Sequence, residues 1–132
     1  MPSIFTRIIK GEIPCYKVAE TDNFLAFLDI NPLMKGHTLC IPKKEIDYIF
    51  DLDDDTISGL MIFSKNVARA IKNVVPCNRV GITVLGDEVP HAHIHLIPFN
   101  TVGDMMFSKP RVELSKAEFE KLAAEISAHV EY

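Results

Sequence analysis

The chain lacks long hydrophobic runs, and its few cysteines do not cluster. Its longest apolar stretches, such as GLMIF, are far shorter than the roughly 20 residues of a membrane span. Arg7 and Lys10 interrupt the apolar residues near the start, so no signal peptide is expected. The three cysteines, Cys15, Cys40 and Cys77, fit free thiols better than a disulfide framework or a zinc knuckle. We therefore expect a cytoplasmic protein without a membrane partner.

Positive charge is also scarce. Because the formal net charge is −4, a long polyanion would meet no broad basic surface, and a nucleic-acid polymer is not an expected partner. A single nucleotide in a pocket needs only a few local donors and stays compatible with this charge. A Walker lysine loop is missing, which excludes a P-loop enzyme. The 132 residues are 48% hydrophobic and 24% charged, which is typical of a single globular domain over 1–132.

Hydrophobic periodicity predicts an α+β fold. A long amphipathic helix should begin near Asp53 and end before Pro76, and a capping box at Ser115 should start a C-terminal helix at about 116–130. Apolar segments bounded by turn residues predict an antiparallel sheet of about five strands with these helices packed on it. The predicted strands are two in 15–30, then 37–41, 79–85 and 91–97.

The last of these strands has an unusual sequence, HAHIHLI. Side chains alternate between the faces of a strand, so His91, His93 and His95 should form one row, with neighbouring Cα atoms roughly 6.5–7 Å apart. A positive charge on one ring disfavours protonation of the next, so at least one imidazole should be neutral near pH 7. A neutral imidazole has a free lone pair and can act as a ligand, a base or a nucleophile.

Three interpretations of this row compete. It could be a solvated polar face that happens to be rich in histidine. It could be a metal site, since histidines two positions apart can share a zinc ion, with His37 as the only plausible remote ligand. It could also perform covalent catalysis at phosphorus, in which the middle histidine attacks and its neighbours orient it and handle protons.

Four segments together resemble one known family. HAHIHLI, SIFTRIIKGEIP, FLAFLDINP and GHTLCIPKK are similar to segments of the histidine-triad (HIT) nucleotide-binding proteins and hydrolases, in the same order and at similar distances. The resemblance extends from Ser3 to Pro98. It implies an α+β fold, a homodimer, and binding of purine nucleoside monophosphate conjugates without a cofactor or metal. It also implies hydrolysis of AMP–X bonds, such as P–N, at the α-phosphorus.

The resemblance also implies roles for individual histidines. His93 matches the nucleophile that becomes covalently attached to the nucleotide, and His95 the residue that contacts the phosphate and helps protonate the leaving group. The backbone carbonyl of His91 would accept a hydrogen bond from the His93 ring, and His37 matches a fourth histidine near the triad. A protonated His95 and the backbone near Gly86 would supply donors to the phosphate. The nucleotide-binding positions implied in this way are Phe5, Ile8, Asp29, Ile30, Leu39, Thr83, Asp87 and Val89.

Several of these positions have a simpler explanation. Core packing explains Phe5, Ile8 and Leu39 as well as a base pocket does, and Asp29 could cap the turn at Asn31-Pro32 instead of binding ribose hydroxyls. His129, on the last helix, is expected at the surface.

The sequence also departs from the family before the triad. Asp87 and Glu88 stand where the family often has glutamine and a hydroxyl residue. An asparagine that is common in the family before the triad is missing here, and Thr83 is the residue that could take its place. These changes leave open a second function, a nucleotide-binding regulatory protein with little turnover, and a zinc-binding protein is a third. They also suggest a cationic leaving group. In the following segment, Met105, Met106 and Phe107 are apolar enough to pack at a dimer interface or over the site. Lys109 and Arg111 could reach a phosphate, but we expect them in a solvated tail.

Overall fold

The computed structural model describes residues 2–132, which form a five-stranded antiparallel sheet with helices on both faces. The helices are α1 (Ile4–Ile9), α2 (Asp54–Val74) and α3 (Lys116–His129). The strands are β1 (Lys17–Glu20), β2 (Phe24–Leu28), β3 (Thr38–Pro42), β4 (Arg79–Thr83) and β5 (Ile94–Phe99). Their order across the sheet is β1-β2-β3-β5-β4. The predicted α+β class is thereby confirmed.

Side chains that accept hydrogen bonds start all three helices. Ser3 and Asp53 each accept from the backbone N–H three residues later, which satisfies a donor that the first helical turn leaves free. The predicted capping box is present at Ser115, whose partner is Glu118. Within residues 2–132, none of the helices combines the length and the apolar character needed to cross a bilayer.

The two faces of the sheet carry different cores. The larger core lies between one face and the helices α2 and α3, with Leu60, Ile94 and Leu96 at its centre. The smaller core lies on the opposite face, where Phe5 of α1 packs on side chains of β2 and β3, including Leu39. Leu39 is paired with His95 across the β3–β5 ladder, so the odd-numbered positions of β5 belong to the α1 face.

The triad is only partly in a strand, which corrects the predicted boundaries. β5 begins at Ile94, so His91 and His93 precede it and only His95 is a strand residue. The reason is that Ala92 N–H donates to the carbonyl of Ile46, at 2.7 Å, instead of joining the ladder with β4. β4 also ends earlier than predicted, at Thr83. The prediction that the three imidazoles form a single row is therefore wrong, because His91 lies outside the strand and does not follow its alternation.

Candidate active site

A cavity of about 550 Å³ opens on the α1 face of the sheet. Its walls are α1, the end of β2, β3, the loop after β4 and the segment that follows β5. The wall is mostly apolar, but His93 and His95 line it together. Their ring centroids are 4.9 Å apart, so both imidazoles lie within reach of one small ligand.

The hydrogen bonds around His93 fix which nitrogen carries its proton. Its Nδ1 lies 2.7 Å from the carbonyl oxygen of His91, and a carbonyl oxygen only accepts, so Nδ1 is protonated. In the neutral ring, Nε2 then keeps a free lone pair. Phe5 contacts the same ring edge-on, with centroids 5.0 Å apart, and restricts its orientation. His93 is therefore an imidazole of fixed orientation in the cavity wall, and its Nε2 can act as a nucleophile.

His91 supports His93 from outside the cavity. Its Nε2 donates to the carbonyl of Pro42 at 2.7 Å, and its Nδ1 accepts from the hydroxyl of Ser3 at 2.9 Å. The ring is fully buried and does not line the cavity. His91 is thus a positioning residue, and Ser3 links it to the cap of α1.

A second chain of hydrogen bonds gives His95 the opposite tautomer. The backbone N–H of Leu33 donates to His37 Nδ1 at 3.0 Å, so the proton of neutral His37 is on Nε2. That Nε2 is 2.9 Å from Nδ1 of His95 and donates to it. Because Nδ1 of His95 accepts this hydrogen bond, the single N–H proton of its neutral ring must be on Nε2. His37 is buried behind His95 and, like His91, does not line the cavity.

Burial lowers the pKa of His37, His95 and His91, and so favours their neutral forms. Desolvation, followed by the nearby His95, lowers the pKa of His37 to about 3. Desolvation, followed by His93 and Arg111, lowers the pKa of His95 to about 4. The pKa of His91 is lowered too, mainly by burial. The expectation of a protonated His95 is therefore wrong for the free protein at pH 7, because the charged form would lose its hydration.

Asp29 caps the turn at Asn31-Pro32 and also lines the cavity. One of its carboxylate oxygens accepts from the backbone N–H of Asn31 at 2.8 Å, which is the turn-capping role. The other lies 3.5 Å from Nε2 of His37, and the residue lines the cavity. Burial raises the pKa of Asp29, while the hydrogen bond from Asn31 and the charge of Arg111 act in the opposite direction.

The positions expected around the base divide into three groups. Phe5, Ile8, Leu39 and Val89 line the cavity and also pack in the smaller core, so the same side chains serve the core and the cavity wall. Ile30 lines the rim and is 73% exposed. Thr83 is opposite His95 in the β4–β5 ladder but does not line the cavity, whereas Leu39, on the β3 side of His95, does. The structure therefore separates Thr83 from the other expected positions.

The acidic departure from the family lies at the cavity. Asp87 and Glu88 both line it, within an exposed loop that joins β4 to the triad. Gly86, at the start of this loop, has φ +72°, a conformation that favours glycine. Asp87 and Glu88 therefore form part of the cavity wall.

The segment over residues 106–112 contains two site residues, Phe107 and Arg111, that the sequence offered only as alternatives. Phe107 lines the cavity and packs edge-on against His95, with centroids 5.1 Å apart. Arg111 also lines the cavity and donates to the carbonyl of Asn31 at 2.7 Å. Lys109 donates to the carbonyl of Leu33. The predicted solvated tail is wrong, because these contacts join residues distant in sequence and no local pattern announces them.

One group of side chains in the same place has the composition of a metal site. Ligand atoms of Asp29, His37 and His95 lie within 4.8 Å of one another. Both histidines are neutral. A divalent ion that took the place of a ring proton could therefore bind the lone pairs of their nitrogens.

The site thus belongs to an α+β protein with paired, oppositely polarised imidazoles in a nucleotide-sized cavity. The model of the HIT domain family matches residues 10–102, and the chain belongs to this family. The adenosine 5′-monophosphoramidase of Schizosaccharomyces pombe is 37% identical over 135 residues, covering 98% of this chain and 99% of the relative.

Solved structures agree with this assignment. A HIT-like protein of Bartonella henselae involved in cell-cycle regulation has a TM-score of 0.83 at 28% identity, covering 97% of this chain and 96% of its own. A zinc-bound histidine-triad protein of Mycobacterium smegmatis has a TM-score of 0.81 at 27% identity, covering 95% and 92%.

Proposed function

We propose that this protein is a phosphoramidase that cleaves AMP–X bonds, with X joined through nitrogen, by a covalent nucleotidyl intermediate on His93. One observation carries the proposal. Two separate chains of hydrogen bonds leave a lone pair on Nε2 of His93 and a proton on Nε2 of His95, on adjacent rings that line one cavity. A nucleophile beside a proton donor is the pair that displacement of an amine from phosphorus requires.

In the proposed first step, Nε2 of His93 attacks the α-phosphorus. A bond between this nitrogen and phosphorus forms while the bond from phosphorus to the leaving nitrogen breaks. Beside the phosphate anion, His95 first takes up one proton from solvent and becomes an imidazolium. This imidazolium passes the proton on its Nε2 to the leaving nitrogen and returns to the neutral ring. In the second step water attacks phosphorus, returns a proton to His95 and frees His93, which releases AMP.

The positioning residues explain how the nucleophile stays ready. Removing the carbonyl of His91 from hydrogen-bonding distance would free the His93 ring to exchange tautomers, and Phe5 limits its rotation. Because the rings are held before substrate arrives, little reorganisation is needed during the reaction. The name of the S. pombe relative, an adenosine 5′-monophosphoramidase, supports both the adenosine and the P–N specificity.

Two alternatives have support of their own. Asp87 and Glu88 in the wall repel a phosphate, which favours a nucleotide-binding regulatory protein with little turnover. The cluster of Asp29, His37 and His95, together with the zinc-bound relative from M. smegmatis, favours a zinc-binding protein. The same experiment separates all three.

The test measures turnover of adenosine 5′-phosphoramidate by metal-stripped wild type, His93→Ala and, as a control, His129→Ala on the exposed end of α3. We expect turnover in wild type and in the control, no turnover in His93→Ala, and a nucleotidyl adduct on acid-quenched wild type by intact mass. Binding of AMP without turnover in any protein would support the regulatory protein. Activity that returns only with added zinc would support the zinc protein.

We also propose a homodimer. β4 is an edge strand, and a group of exposed apolar side chains lies on it and on the segments that follow it in the chain. The group consists of Ile82, Leu85, Val102 and Met106. Exposed apolar surface along an unpaired strand is typical of an interface. Sedimentation equilibrium should give twice the mass of the chain, and a monomer at micromolar concentration would exclude this proposal.

A further inference from the structure

The charges around the cavity are unequal. Among the residues that the structure describes, its lining contains three carboxylates, from Asp29, Asp87 and Glu88, but Arg111 is the only lysine or arginine. A nucleotide brings a phosphate, which needs positive charge or several hydrogen-bond donors in a partly dehydrated site. Some residue of this chain must therefore supply the positive charge or the hydrogen-bond donors that the phosphate needs.

The histidines do not provide a permanent positive charge. The pKa of His95 is lowered to about 4 and that of His37 to about 3, in both cases mainly by burial. In the free protein at about pH 7 both rings are neutral. A guanidinium group, by contrast, carries a permanent positive charge in proteins.

Arg111 is held on the far side of the Phe107 ring from His95. One of its terminal nitrogens, Nη1, donates to the carbonyl of Asn31 at 2.7 Å, close to the turn that contains Asp29. Its guanidinium carbon lies 5.4 Å from the centre of the Phe107 ring, and that ring packs on His95 at 5.1 Å. One aromatic side chain therefore separates the guanidinium from the imidazole that would face the phosphate.

The guanidinium still has donors to offer. It carries five N–H groups in a planar fork. Within residues 2–132, its hydrogen bond to Asn31 uses one nitrogen, and no carboxylate lies within 4.0 Å of it as an ion-pair partner. Arg111 thus differs from Lys109, which is anchored to the carbonyl of Leu33 and does not line the cavity.

We propose that Arg111 binds the α-phosphate of the nucleotide, donating through its unused N–H groups to a phosphoryl oxygen while Nη1 keeps it anchored to Asn31. This inference rests on the proposed function, since it assigns the phosphate of that substrate to one side of the cavity. It adds a substrate-binding residue to the two histidines. It also explains how a cavity with three carboxylates in its wall attracts an anion.

The test compares AMP with adenosine, which lacks the phosphate. Dissociation constants are measured by isothermal titration calorimetry for wild type, Arg111→Gln and Arg111→Lys, with Arg69→Gln on the exposed face of α2 as the matched control. For Arg111→Gln we expect the AMP constant to rise about 10- to 100-fold, as for a lost hydrogen bond between charged groups, with little change for adenosine. Arg111→Lys should restore part of the loss, because it keeps the charge but not the fork. Arg69→Gln should behave as wild type.

Three other results would overturn the inference. Unchanged AMP affinity in Arg111→Gln would mean that the guanidinium does not reach the phosphate. An equal loss for AMP and adenosine would mean that Arg111 only stabilises the turn at Asn31. If wild type bound no AMP at all, the proposed function would fail together with this inference. Wild type that binds AMP without turnover leaves the comparison intact, so the two proposals can fail separately.

Discussion

Replacing His37 by glutamine should reduce the loss of stability at mildly acidic pH. His37 is 1% exposed, and burial lowers its pKa from 6.5 to about 3. The unfolded chain therefore takes up a proton at this residue as the pH falls below about 6.5, whereas the folded protein does not until about pH 3. Stability from this residue is fully present above pH 6.5 and decreases as the pH falls towards 3. Glutamine does not titrate, so this contribution disappears in the variant.

The magnitude follows from the two pKa values. At about pH 5 an unfolded histidine is almost fully protonated and the buried ring almost fully neutral, so the linkage contribution is about 1.5 pH units at about 1.4 kcal/mol each. His37 should therefore lower the free energy of unfolding by about 2 kcal/mol between about pH 7.5 and about pH 5. This figure is insensitive to the folded pKa, because any value well below 5 gives the same result.

Urea denaturation of wild type, His37→Gln and His129→Gln at both pH values measures the effect. The decrease in the free energy of unfolding on acidification should be about 2 kcal/mol smaller in His37→Gln than in wild type. His129 is exposed, so His129→Gln should match wild type. Equal decreases in wild type and His37→Gln would refute the claim that His37 is held neutral by burial.

Two further predictions concern the cavity wall and the support of the triad. In Asp87→Gln/Glu88→Ser, kcat/KM for an adenosine phosphoramidate with a cationic leaving amine should fall relative to that for a neutral one, since the carboxylates in the wall attract the cation; an unchanged ratio would exclude this role. Ser3→Ala should lower the free energy of unfolding by about 2–4 kcal/mol in urea titrations, because it removes a helix cap and leaves Nδ1 of buried His91 without its donor. Ser3→Thr, which keeps the hydroxyl, should change little.

Much of the framework is readable locally. The helix starts at Asp53 and Ser115 follow from residue types at fixed offsets, and the structure contains both caps. The apolar residues that alternate with the histidines predicted a strand with one buried face, and Ile94 and Leu96 do lie in the larger core. These features depend on neighbours a few positions apart, for which the backbone geometry is fixed.

Boundaries were less readable where distant backbone competes for hydrogen bonds. The strand predicted over 91–97 begins at Ile94 because Ala92 N–H reaches the carbonyl of Ile46. The alternation of HAHIHLI contains no sign of that partner. His91 therefore supports His93 through its carbonyl and its buried ring rather than as the third member of a row.

The sequence alone determined the α+β class, the helix caps, and which histidines lie near one another along the chain. The tertiary structure decided the protonation pattern of the site. It also placed Arg111 in the cavity wall, where it is the only lysine or arginine among the described lining residues. The hydrogen bonds responsible join residues 88 positions apart for Ser3 and His91, 58 for His37 and His95, and 80 for Arg111 and Asn31. A tautomer depends on which partner faces each ring nitrogen, and a pKa depends on how much water the fold removes. Both quantities exist only once the chain has brought these distant residues together.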